Sequence, residues 1–157
     1  MRKVFLRTIG GIVLAGGVIT ATLTSSNRNA HADPSQAPCG VHTLRGSYVF
    51  NAHGWDIVGG VALPKAIVEG INFNGDGTLV SPFATVSING TILQFSGGVA
   101  GFYAVNQGCT GTLTFPGIAN FDIFVQPGDG KQVWMIQTGP GIPGPSVFEG
   151  TATKVSP

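Results

Sequence analysis

The sequence has few charged residues, and this scarcity excludes several classes of protein. Only 10% of its 157 residues are Asp, Glu, Lys or Arg, against about 25% in an ordinary globular domain. Disordered chains combine high charge with low hydrophobicity, whereas 43% of this chain is hydrophobic. From position 33 onward, four Lys and Arg face seven Asp and Glu, a formal charge of −3. So little positive charge argues against nucleic acid as a partner.

Long hydrophobic runs are also missing, apart from one near the start of the chain. Thr8–Leu23 is apolar or small throughout, but it falls short of the roughly 20 residues that a membrane span needs. Basic residues precede it, and Ala30-His31-Ala32 follows it with the small-x-small pattern of a cleavage site. This order predicts a signal peptide over residues 1–32, cleaved near Ala32. We therefore expect a secreted or periplasmic protein without stable membrane insertion; a retained membrane anchor is the alternative.

Cysteine and histidine are equally scarce, which limits metal and nucleophilic chemistry. His42 and His53 are the histidines after position 32, and their spacing is neither HxH nor HxxxH. No Gly-x-Ser-x-Gly motif marks a nucleophilic serine. The sequence therefore predicts neither a metal centre nor a cofactor. Cys39 and Cys109 are the two cysteines, and an even pair in an exported chain predicts a disulfide bond between them.

Helical periodicity is the next absence, because apolar residues after position 44 do not recur at i, i+3 and i+4. Apolar and polar residues alternate instead, between turn signals such as Asn74-Gly75-Asp76-Gly77, Asn89-Gly90 and Pro127-Gly128-Asp129-Gly130. We therefore expect a lead-in over residues 33–43 and a single all-β domain over residues 44–157.

The alternation predicts eight or nine strands joined mainly by tight turns. Residues 55–63 are expected to form a loop and the entry to the next strand, with a bend at Gly59-Gly60, and Ser96-Gly97-Gly98 to separate two strands. Pro64 and Pro82 are expected to interrupt strand pairing. Sequential strands form an antiparallel up-and-down meander, and closing it into a barrel removes both exposed edges. A β-sandwich is the alternative, although its Greek-key crossovers need longer connections.

Five short motifs, taken in their order and spacing, resemble a known family. They are Gly46-Ser47-Tyr48-Val49-Phe50, Phe73-Asn74-Gly75-Asp76-Gly77, Gly101-Phe102-Tyr103-Ala104-Val105, Cys109-Thr110-Gly111-Thr112 and Gly150-Thr151-Ala152. With the cysteine pair, they resemble the allene oxide cyclase barrel-like family of small exported bacterial proteins. The resemblance implies a calycin-like barrel of eight strands. In plant enzymes of this fold, the barrel mouth holds an unsaturated epoxide and directs it to a cyclopentenone, so an isomerase or cyclase activity is implied.

Glu69 is the candidate catalytic residue, because it interrupts a strand that is otherwise apolar from Ala66 to Ile71. In the alternation it shares a face with Ile67 and Phe73. Its carboxyl group therefore points either into the barrel, where burial would raise its pKa, or outward into water. The other two carboxylates within predicted strands, Asp122 and Glu149, are expected to face solvent.

The candidate ligand-binding residues are aromatic, because the chain has more aromatic side chains than a small barrel needs as spacers. They are Tyr48, Phe50, Trp55, Phe102 and Trp134. Their expected partner is a hydrophobic small molecule. The alternative is a non-catalytic structural or interaction domain whose barrel is filled by its own side chains. An open apolar cavity with Glu69 inside would favour the first hypothesis, and a plugged interior the second.

Overall fold

The computed structural model describes residues 38–139 and 144–157, which form a closed barrel of eight antiparallel strands. The strands are β1 Arg45–Val58, β2 Val61–Asn74, β3 Thr78–Ile88, β4 Thr91–Val105, β5 Thr110–Phe115, β6 Ala119–Val125, β7 Gln132–Gln137 and β8 Ser146–Ser156. Each pairs with its neighbours in sequence, and β8 closes the barrel against β1. The all-β up-and-down barrel is therefore confirmed over the β-sandwich. The predicted signal peptide, including its cleavage site at Ala32, lies outside the described residues.

The loop expected over residues 55–63 is instead a hairpin between β1 and β2. β1 continues to Val58, and β2 begins at Val61. Gly59 and Gly60 form the two-residue turn with φ angles of 58° and 82°. Positive φ at both positions matches the twist of the flanking strands, so two adjacent glycines close a hairpin rather than end a strand.

The two strands expected on either side of Ser96-Gly97-Gly98 are one strand, β4, so the total is eight rather than nine. Gly97 and Gly98 have φ angles of 107° and 82°. On the neighbouring strand β3, the register shifts between Ser81 and Phe83, across Pro82. Because a β-bulge absorbs these irregularities, both strands bend and continue.

Pro64 lies in β2 opposite Trp55 of β1. The last β2 residue that pairs with β3 is its neighbour Lys65. The proline therefore lies at the end of the β2–β3 ladder, where its carbonyl accepts a hydrogen bond from the Asn89 N–H and its missing N–H interrupts no strand pair.

The two ends of the barrel differ, and we call them the closed end and the mouth. The closed end carries the turns at residues 74–77, 106–109 and 126–131, together with a short 3-10 helix at Val41–Thr43. The Cys39–Cys109 disulfide joins the segment before this helix to the turn between β4 and β5, which confirms the predicted pairing. The mouth carries the turns at 59–60, 89–90 and 116–118. Its wall is uneven, because β1–β4 have 11 to 15 residues whereas β5–β7 have six or seven.

Aromatic side chains fill the closed end. The ring of Phe73 lies edge to face between Tyr48 and Tyr103, with centroid distances of 5.0 Å on both sides. The Tyr48 hydroxyl donates to the Gly130 carbonyl at 2.7 Å, and the Tyr103 hydroxyl donates to the Leu44 carbonyl at 2.9 Å. Burial raises the pKa of Tyr48 to about 12, so its hydroxyl keeps its proton and can donate. The closed end is therefore packed with aromatic rings, and both of its buried tyrosine hydroxyls have hydrogen-bond partners.

Candidate functional site

A cavity of about 330 Å³ opens at the mouth, and all eight strands contribute to its wall. Its volume lies near the lower end of the roughly 300–1,000 Å³ of small-molecule sites. Most of the lining is aliphatic or aromatic. Five polar side chains line it as well, namely Lys65, Glu69, Ser81, Ser96 and Gln137.

Three phenylalanine rings mark the inner end of this cavity. Phe50 is 1% exposed, and its ring centroid lies 5.9 Å from that of Phe121 and 6.3 Å from that of Phe148, both edge to face. Below Phe50 on the same face of β1 comes Tyr48, which belongs to the packed closed end. The barrel is therefore filled by side chains at the closed end and contains the cavity at the mouth.

Glu69 faces the cavity and not the solvent, so the structure selects one of the two orientations left open by the sequence. Its side chain is 8% exposed, and its cross-strand neighbours are Phe50 on β1 and Ala84 on β3. Burial raises the pKa of Glu69 from 4.5 to about 7, against a smaller lowering by a hydrogen bond with the Ser81 hydroxyl. Near neutral pH the group is present both as an acid and as a carboxylate, so it can give or take a proton.

A second polar cluster lies higher on the same wall. The Asp56 side chain is completely buried, and its Oδ1 accepts hydrogen bonds from Lys65 Nζ at 3.0 Å and from Ser146 Oγ. Lys65 Nζ also lies 4.6 Å from the centroid of the Phe148 ring, within cation–π range. The Lys65 side chain is 9% exposed, so this is a buried ion pair and not a surface one.

A glycine on β1 lets this cluster form. Gly54 pairs with Lys65 of β2 on one side and with Phe148 of β8 on the other. A Cβ atom at Gly54 would overlap the carbonyl oxygen of Val147 and approach the Phe148 Cα to 2.8 Å. Because only glycine fits there, β1 and β8 approach closely and bring Asp56 opposite Ser146.

The structure places one of the five candidate aromatic residues, Phe50, in the cavity wall. Tyr48 is buried at the closed end. The side chains of Trp55, Phe102 and Trp134 are 49%, 57% and 43% exposed and lie outside this cavity. Strand alternation accounts for two of these positions, because Phe102 lies between buried residues 101 and 103 and Trp134 between buried residues 133 and 135.

Trp134 belongs to a second, wider depression on the outer surface. This outer groove has a volume of about 1330 Å³ and crosses the outward face of the strands from β1 through β8 to β5. The rings of Trp134 and Phe124 lie there with centroids 5.8 Å apart. Asp122 and Glu149 also line it and are exposed, as the alternation predicts.

Sequence reasoning missed Asp56, Lys65, Ser81 and Gln137. Asp56 was missed because residues 55–63 were not expected to continue the first strand. It nevertheless continues the inward-facing series Tyr48, Phe50, Ala52. Lys65 shares the parity of Ile67 and Glu69, so the alternation itself contained a signal for it. Ser81 shares the parity of buried Leu79, so the alternation contained a signal for it as well, whereas the bulge at Pro82 sets the inward positions that follow, Ala84 and Val86.

Within the described parts of the chain, no three His, Cys, Asp or Glu side chains are grouped closely enough to hold a metal ion. Residues 38–139 and 144–157 also include no helix that is long and apolar enough to cross a membrane.

Comparison of the chain with protein-family models, with curated proteins and with solved structures finds no match in any of the three. The function is therefore argued from the cavity and its side chains.

Proposed function

We propose that this protein is an exported barrel whose mouth cavity binds a hydrophobic small molecule and, as the resemblance to allene oxide cyclase barrel-like proteins implies, isomerises or cyclises it. The observation that carries the proposal is the cavity itself, since a barrel filled by its own side chains would have none. Its walls are mainly apolar, and it ends on Phe50 beside a single protonatable carboxyl group, that of Glu69.

Export is supported by the disulfide as well as by the pattern of residues 1–32. Cys39 and Cys109 are bonded to each other, and such bonds persist in oxidising compartments outside the cytoplasm. The segment that this bond anchors lies at the closed end, away from the cavity.

The chemistry open to this site is acid–base catalysis on a ligand held in one shape. Apolar walls confine a flexible chain and exclude water, which favours one reactive conformer. Protonated Glu69 can donate its proton to a substrate oxygen as a C–O bond breaks, and the resulting carboxylate can take a proton back from the carbon skeleton. The carboxyl group ends as it began, so such an isomerisation consumes no cofactor.

Blocking the cavity tests ligand binding. Ala84 faces the cavity beside Glu69, whereas Thr85, the next residue on β3, is exposed on the outer face. We expect Ala84→Phe to weaken binding of the uncharged dye Nile red by about tenfold or more, because the new ring occupies ligand space. The matched control Thr85→Phe should bind as wild type does. Dye binding that survives Ala84→Phe but is lost in Trp134→Ala would place the ligand in the outer groove and refute the proposal.

The catalytic part has its own test. Glu69→Gln keeps the shape of the side chain but removes the titrating group, so we expect binding to stay nearly intact and turnover of an epoxide or polyene substrate to be lost. Glu149→Gln makes the same change on the outer face and should leave turnover unchanged. Full activity of Glu69→Gln would leave a binding protein without this catalytic residue.

A further inference from the structure

We infer that the mouth cavity selects an uncharged ligand, an apolar molecule with one hydrogen-bond-accepting oxygen such as an epoxide, ketone or ester, and rejects the corresponding carboxylate. The inference rests on the proposed ligand binding and names the chemical class that the site takes.

The positive charge that faces the cavity belongs to Lys65. Of the described residues that line it, Lys65 and Glu69 are the charged ones. The ammonium group of Lys65 is already paired with the fully buried Asp56 at 3.0 Å. The remaining Lys and Arg of the described segments lie toward the closed end: Arg45 begins β1, Lys131 precedes β7, and Lys154 pairs with Tyr48. A ligand carboxylate would therefore meet no uncompensated cation in the wall.

The negative charges at the site belong to Asp56 and Glu69. With Asp56 balancing Lys65, ionised Glu69 leaves the site with an excess of one negative charge. A carboxylate brought beside it would be desolvated and repelled, and burying an unpaired anion is strongly unfavourable. A neutral oxygen meets the opposite situation, because protonated Glu69 is a hydrogen-bond donor at the inner end of an apolar cavity.

The surroundings of Glu69 show why its proton decides the affinity. Phe50 faces it from β1, and Ala84 and Ser81 face it from β3, none of which titrates. Lys65 is the nearest charged position inside β2, two inward-facing residues away beyond Ile67. Because burial raises the pKa of Glu69 to about 7, the donor is present below this pH and absent above it. Affinity for a neutral acceptor should therefore fall as the pH rises.

Displacement of Nile red by two probes that share a twelve-carbon acyl chain tests the inference: methyl laurate and laurate. On the full-length protein at about pH 7.5, we expect methyl laurate to bind about tenfold or more tightly than laurate, because the anion finds no free partner. Between about pH 6 and about pH 8.5 the affinity for methyl laurate should fall several-fold as Glu69 ionises. Glu69→Gln should abolish this pH dependence, and the matched variant Glu149→Gln should retain it.

A variant that removes the ion-pair partner of Lys65 gives a second test. Asp56→Asn frees the Lys65 ammonium group, so laurate affinity should rise about tenfold relative to wild type, while Asp122→Asn on the outer face should change nothing. Because Asp56 is fully buried and its replacement can impair folding, the laurate affinity of Glu69→Gln gives a second measure and should also rise. Laurate binding to wild type as tightly as methyl laurate would overturn the inference. Failure of both probes to bind would instead refute the proposed function, on which the inference depends.

Discussion

The closed end and the mouth of this barrel are built on the same eight strands but bury different kinds of side chain. At the closed end, Tyr48, Phe73 and Tyr103 pack edge to face, and both tyrosine hydroxyls are bonded to backbone carbonyls. At the mouth, Asp56 and Lys65 form a buried ion pair, and Glu69, which has no ion-pair partner among the described residues, lies beside the cavity.

This contrast indicates a division between stability and function. Aromatic packing, satisfied hydrogen bonds and a disulfide all favour the folded state at the closed end. Burial of an acid and an empty volume both oppose folding at the mouth. A barrel under selection for stability alone would fill the mouth as it fills the other end, so the hollow half is where a ligand site is expected.

Breaking the disulfide should produce the largest loss of stability, because the bond holds the N-terminal segment against the closed end. The bond spans 70 residues of sequence, and the loop-entropy model gives about 4 kcal/mol for such a span. We expect Cys109→Ser to lower the free energy of unfolding by about this amount in urea titrations. The double variant Cys39→Ser/Cys109→Ser should lose as much, which controls for mispairing of the free thiol. Denatured, unreduced wild type with two reactive thiols would contradict the assignment.

Ionisation of Glu69, at the mouth, should produce the next largest change in the free energy of unfolding. Its pKa is about 7 in the folded protein against 4.5 as the ordinary value, so between these pH values the folded state binds more protons than the unfolded one. The free energy of unfolding should therefore fall as pH rises through this window, by about 3 kcal/mol in total. Urea titrations of wild type and Glu69→Gln across the window measure the difference. The difference between the two proteins should be constant below about pH 4.5, where the carboxyl is protonated in both states; curves that stay parallel at every pH would show that the carboxyl is solvated.

Two turn glycines give the smallest and most direct comparison between the ends. Gly77 at the closed end and Gly90 at the mouth have φ angles of 95° and 86°. Valine at either position costs about 1–2 kcal/mol of backbone strain. A Cβ atom at Gly77 would also lie 3.2 Å from the Tyr103 carbonyl oxygen, whereas at Gly90 nothing lies within 4 Å. We therefore expect Gly77→Val to lower the melting temperature more than Gly90→Val; equal shifts would mean that the closed end is no tighter than the mouth.

The sequence by itself determined the class of fold, because alternation and turn chemistry are local properties. Period two over residues 44–157 together with turn signals such as Asn74-Gly75-Asp76-Gly77 is enough for an antiparallel meander, and an even cysteine pair for the disulfide. The inward face of β1 followed from the same alternation. The same alternation on β4 and β7 could have removed Phe102 and Trp134 from the candidate ligand residues, since both alternate with buried neighbours.

Only the tertiary structure decided where the charges lie and how far the barrel is filled. Whether Glu69 pointed inward depended on strand register, because a slip of one residue would move it to solvent. Ser146 is 90 residues from Asp56 in sequence and meets the Asp56–Lys65 pair because β8 closes the barrel against β1. The cavity exists because β1–β4 extend beyond the short strands β5–β7 and enclose a space that none of the described side chains fills. Such volumes depend on packing between non-adjacent strands, which no local pattern records.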